Sequence, residues 1–177
     1  MKIFETERLI LEPIGMEHCT ATYLSWLNDP EVYRWLETRG SQTMPKLQKY
    51  IQQQVKNKTY MWAIKVKSSS THIGNIKIDP INKIHSLGEF GILMGDKTEW
   101  GKGYAREASL EIMNYFFKKK QPLRKITLGV VDQNKAAVKL YKNLGFGIEG
   151  IYKDHVCYDG SFYTILRMAK FNSWYGK

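Results

Sequence analysis

The chain has 177 residues and a formal net charge of +10, with 43% hydrophobic and 25% charged side chains, a make-up that predicts one globular domain spanning 1–177. No apolar run approaches the ~20 residues that cross a bilayer, and residues 1–7 lack an apolar stretch ahead of a cleavage site, so a cytoplasmic protein without membrane contact is expected. Two distant cysteines and four histidines without ligand spacing argue against a disulfide framework and a metal site, while the basic balance favours anionic partners such as phosphorylated cofactors, sugar nucleotides or nucleic acid.

In chain order, residues 8–14 read as a first strand ended by Gly15, and 16–28 as a helix with Cys19, Tyr23, Leu24, Trp26 and Leu27 on its apolar side. Asn28-Asp29-Pro30 stops that helix and starts a short one over 31–37. A third helix is predicted over 45–57, then strands over 60–66, 72–78 and 87–94. A long helix over 103–118 ends in Lys118-Lys119-Lys120, cations that suit a negative helix end. Strand 125–131, helix 134–144 and two strands near 146–156 and 161–171, joined at Asp159-Gly160, complete the chain. Three consecutive strands followed by α-β-α-β-β define a mixed α/β (α+β) fold, its sheet of about seven strands mainly antiparallel and flanked by helices. No internal repeat or linker interrupts it.

Two short stretches carry chemistry. In "EWGKGYA", residues 99–105, two glycines flank a lysine where a strand gives way to a helix. The first amides of a helix lack intrahelical partners and the helix dipole adds positive charge, so unshielded backbone there suits an anion. The spacing fits neither a Walker loop, because Gly95 to Gly101 encloses five residues, nor a dinucleotide fingerprint, because Arg106 stands where the third glycine belongs. Downstream, Asn134 opens a helix that Gly145 closes, and Tyr141 lies seven residues beyond Asn134, nearly two turns at about 100° per residue, so both project from one face. Taken singly, Asn134 reads equally as a cap and Tyr141 as a core aromatic.

Together, Thr98-Glu99-Trp100-Gly101-Lys102-Gly103 and the later N-x-x-A-x-x-x-Y-x-x-x-G-F over 134–146 closely resemble the two motif blocks of the GNAT N-acetyltransferases. Thr98 departs from that family's usual Gln or Arg, and Gly95 adds a residue before the turn. "TERLILEPI" looks like the family's first strand and "GFGIEGIYKDHVCYDGSFYTILRMA" like its closing pair. "GEFGILMGDKTEWGKGYAREA" and "YLSWLNDPEVYRWLETR" are similar to the branch of ribosomal-protein alanine and amino-sugar acetyltransferases.

The resemblance implies acetyl-CoA as acetyl donor and no metal. Backbone amides from Trp100 through Gly101, Lys102, Gly103 and Tyr104 to Ala105 would take the diphosphate, with Lys102 adding charge. The strand edge at Met94 would pair with the pantetheine amides, and Asn134 would bond the same arm. Tyr141 is implied as the acid for the leaving thiolate. Glu89, on the strand leading to the turn, is the candidate base, with acceptor binding or water orientation as its alternatives. Asn28, Asp29, Arg34, Glu37 and Arg39, walled by Trp26, Tyr33 and Trp35, are candidates for the acceptor pocket. The expected acceptor is a small-molecule primary amine, a nucleotide-linked amino sugar ahead of a ribosomal-protein N-terminus and then a polyamine or drug amine. A non-catalytic CoA- or RNA-binding module and a homodimer stay open.

Overall fold

The computed structural model describes residues 1–175. Eight strands form one open, mostly antiparallel sheet: β1 (Phe4–Glu5), β2 (Leu9–Pro13), β3 (Tyr60–Val66), β4 (His72–Asn82), β5 (Leu87–Met94), β6 (Lys125–Val131), β7 (Gly147–Tyr158) and β8 (Ser161–Phe171). Their order is β1-β2-β3-β4-β5-β6-β8-β7, and β5 with β6 is a parallel pair. The strand not foreseen is β1, two residues long, which sets Phe4 opposite Leu11 and Glu5 opposite Ile10. Two residues are too few to show an alternating pattern.

The helices are α1 (Ala21–Asn28), α2 (Pro30–Tyr33), α3 (Met44–Lys56), α4 (Tyr104–Lys118) and α5 (Lys135–Asn143). The single helix expected over 16–28 is divided: a 3-10 turn spans Met16–His18, and α1 begins only after Thr20. The Thr20 hydroxyl accepts the Tyr23 amide at 3.1 Å, which fixes the true N-cap. Asp29 is extended, as a residue before proline prefers, and its side chain caps α2, with Pro30 at the first helical position. That second helix stops at Tyr33 rather than 37.

The chain packs as two compact units, one of Met1–Asp79 with Gly91–Glu111, the other of Pro80–Phe90 with the residues from Ile112 onward. In the first unit, Tyr23, Trp26, Leu27, Leu47, Ile51 and Met61 form a core against which Leu93 of β5 packs. Full burial of a side chain of this size contributes about 1.5–3 kcal/mol. In the second unit, Phe116, Leu123, Ile126, Leu128 and Met168 are buried, and Asn172 is sealed in by donating to the Phe117 and Leu123 carbonyls.

Candidate active site

At the end of β5, the amides of Gly95 and Asp96 both donate to the Ile73 carbonyl, at 2.9 and 3.1 Å, so the strand is pinched off there. A Cβ on Gly95 would stand 2.0 Å from the Trp26 indole, so the extra residue is a glycine because Trp26 fills its place. Asp96 then caps a 3-10 turn over Lys97–Glu99, taking the Thr98 amide at 3.0 Å and the Thr98 hydroxyl at 2.7 Å. Thr98, where the resemblance would put Gln or Arg, is therefore a turn residue.

Beyond it, the Trp100 indole donates to the Met94 carbonyl at 2.9 Å, folding the strand end back on the turn. Gly101 and Gly103 have φ of +77° and +85°, conformations that other residues adopt only with strain. A Cβ at Gly101 would touch nothing within 4 Å, so the backbone and not crowding requires glycine there. The Glu107 amide bonds the Gly103 carbonyl at 3.1 Å, which starts α4 and leaves the amides before it without a partner inside the helix. Lys102 pairs with Glu99 at 2.8 Å, and that hydrogen bond raises its pKa. Part of the positive charge expected from Lys102 is thus already balanced.

Sequence reasoning overlooked Arg8 and Glu107. Arg8 donates from its backbone amide and guanidinium to Glu107 and from Nη1 to the Lys102 carbonyl, at 2.7–2.9 Å. Glu107 suits the first turn of α4 through the helix dipole, but nothing local in the sequence names Arg8 as its partner.

The acceptor-pocket candidates divide. Trp26 is 5% exposed and belongs to the core, so it is no open wall. Asn28 is bonded in both directions to the Gln42 backbone. Lys97 bridges Asp29 at 2.7 Å and Glu31 at 3.0 Å. Arg34 lies over the Trp35 ring and Arg39 over Tyr33. Glu37 is exposed.

In the second unit, Glu89 and Phe90 take opposite faces of β5. Phe90 meets the Tyr141 ring edge-on at 6.0 Å. Glu89 is gripped on the other face: Arg167 donates to both its oxygens at 2.8 Å, and the Thr127 hydroxyl adds a bond of 2.5 Å. Both carboxylate oxygens are thus engaged by donors on that face.

Asn134 caps α5, accepting the Ala137 amide at 3.2 Å. At the other end, Gly145 with φ +87° donates to Lys142, and Phe146 donates to the Tyr141 carbonyl at 3.0 Å. These two bonds are a Schellman cap, and its hydrophobic contact is the Tyr141–Phe146 ring pair at 5.9 Å. The Gly-Phe pair after the helix thus fixes the ring of Tyr141. Tyr141 is 8% exposed, and burial pushes its phenol up to about 12.

Among the described residues no group of three or more His, Cys, Asp or Glu gathers as for a metal ion, and no helix is long and apolar enough to cross a membrane.

A mixed α/β sheet whose fifth strand runs through a G-x-G turn into a helix, with a capped tyrosine helix downstream, defines an acetyltransferase fold. The sequence matches the family described as Acetyltransferase (GNAT) domain over residues 8–147, and the chain belongs to it; it is a GNAT N-acetyltransferase. A protein of Bacillus licheniformis named as an uncharacterized N-acetyltransferase, p20, is 28% identical over 159 residues, 88% of each chain. The spermidine N-acetyltransferase of Vibrio cholerae, solved with CoA and spermine, superposes with a TM-score of 0.85 at 22% identity, over 95% of this chain and 98% of that one. The ribosomal-protein-S5-alanine acetyltransferase of Vibrio fischeri gives 0.82 at 21% identity over the whole of both. At such identities the two solved structures show the fold alone.

Proposed function

We propose that residues 1–177 act as a single cytoplasmic domain that moves the acetyl group of acetyl-CoA to a primary amine of a small molecule. The observation that carries this reading is the turn of Gly101 and Gly103, whose positive φ values keep side chains away from backbone suited to a diphosphate.

In this reading the amides of Trp100, Gly101, Lys102, Gly103, Tyr104 and Ala105 hold the diphosphate, and the backbone at Met94 and the side chain of Asn134 hold the pantetheine arm. Asn134 keeps its amide group for this, since capping uses only its oxygen. Bound acetyl-CoA supplies the activated acyl group. Tyr141 gives its proton to the leaving thiolate. A phenol at about 12 is a weak acid, but burial raises the pKa of a thiol as well, so donor and acceptor shift in the same direction. Glu89, held by Arg167 and Thr127, orients the acceptor side, and the acceptor binds as the free amine.

Among acceptors we favour a nucleotide-linked amino sugar. A net charge of +10 attracts a phosphate-bearing molecule and repels a polycation. The carboxylates of Asp29, Glu31, Glu89, Glu99 and Glu107 already hold lysine or arginine, so a polyamine would have to displace those cations. A protein N-terminus is the second reading, favoured by the shared fold of the ribosomal-protein-S5-alanine enzyme. CoA release measured across amino-sugar nucleotides, N-terminal peptides and spermidine is the test. Turnover confined to spermidine would overturn the acceptor assignment, and no release with any of them would count against the transfer itself.

A further inference from the structure

An anion site built from backbone amides works only if the carbonyls of the same turn are led away from it. In a planar trans peptide the carbonyl and the next amide point in opposite directions. Whatever holds the Lys102 carbonyl therefore also aims the Gly103 amide.

Arg8, at the start of β2, holds it. Its Nη1 donates to the Lys102 carbonyl at 2.9 Å. Its Nε and Nη2 both reach Glu107 Oε2 at 2.7 Å, and its backbone amide reaches Oε1 at 2.8 Å. The Thr6 hydroxyl adds a fourth donor to Glu107, at 2.6 Å on Oε1. The guanidinium lies 4.6 Å from the centre of the Tyr104 ring, and its Nη2 would stand 3.5 Å from a Cβ on Gly103. Burial pushes the Glu107 carboxyl up, but the hydrogen bonds from Thr6 and Arg8 outweigh it and lower its pKa.

We infer that Arg8 is a positioning residue for the coenzyme: by clasping the Lys102 carbonyl and the Glu107 carboxylate together, it turns the Gly103 amide outward and neutralises the one acid beside the diphosphate amides in the first turn of α4. The inference rests on the reading of the 100–105 turn as the diphosphate site. The clasp needs a fork. Nη1 takes a carbonyl while Nε and Nη2 take a carboxylate, a spread that an ammonium, with its donors on a single nitrogen, does not match.

Titration calorimetry with CoA and with 3′-dephospho-CoA on Arg8→Gln and Arg8→Lys, each checked for folding by melting without ligand, tests this. Arg8→Gln is expected to weaken CoA about tenfold, the loss of one charge-assisted bond. The same factor is expected for 3′-dephospho-CoA, with the change falling on KM for acetyl-CoA and not on KM for the acceptor. Arg8→Lys, which keeps the charge, should recover only part of the affinity. Wild-type affinity in Arg8→Lys would overturn the clasp, as would a loss confined to CoA, which would make Arg8 a direct contact of the 3′-phosphate. If Arg8→Gln does not fold, Arg8→Lys alone decides. Unchanged CoA affinity in Gly103→Asp would instead sink the diphosphate reading, whatever Arg8 does.

Discussion

The glycine turn and the tyrosine helix hold polar groups by opposite means. At the turn, side chains are absent where φ is positive, and charged pairs at the surface keep the backbone in place. At Tyr141, a single phenol is buried between Phe90 and Phe146 and tied by the cap of its own helix. One region exposes donors that never titrate in the working range; the other shields a donor whose pKa burial raises. Binding should thus be carried by the first and turnover by the second.

The sharpest way to break this division is Gly103→Asp. It places a Cβ at φ +85° and a negative charge where an anion is to bind, and CoA affinity measured by calorimetry is expected to fall by more than about 100-fold, two steps of 1.4 kcal/mol. Tyr141→Phe tests the other half. Turnover should drop about 100-fold, the low end of what a general acid supplies, with CoA affinity unchanged. A fully active variant would remove Tyr141 as acid. Glu89→Gln should lower kcat/KM by about tenfold by unbalancing Arg167, without moving the pH profile. A shifted profile would make Glu89 the base.

The smallest effects separate the two regions by pH. Glu107 has a lowered pKa, so the stability it gives is complete above the unfolded carboxyl value of about 4.3 and is lost as pH falls through its folded value. Tyr141 has a raised one, so its contribution is complete below about 10 and is lost as pH rises towards about 12, an amount of about 3 kcal/mol. Melting curves of Glu107→Gln should therefore flatten the acid limb of stability, and those of Tyr141→Phe the alkaline limb. Equal slopes in variant and parent would show that neither group is held as described.

What could be read in advance follows the same contrast. The G-K-G turn and the Asn134–Gly145 helix were legible because backbone needs are written in single residues close together in sequence. The boundary at Thr20 was blurred because the apolar period of 16–28 runs through the 3-10 turn that precedes it. Trp26 read as a pocket wall because nothing local tells that Gly95, far along the chain, leaves room for its ring. Arg8 and Arg167 went unnoticed for the same reason: their partners Glu107 and Glu89 lie 99 and 78 residues away. Long-range charge pairs leave no period to detect.

Gly129 is the quiet instance. It faces Arg167 across β6 and β8, and a methyl group there would stand 2.9 Å from Arg167 Nη1. The guanidinium reaches Glu89 by crossing over a bare stretch of neighbouring strand. An alanine at 129 would carry no charge and touch no substrate, yet it would press on the guanidinium that serves a carboxylate on the next strand, so a survey confined to polar residues would pass over the hydrogen atom that keeps that crossing clear.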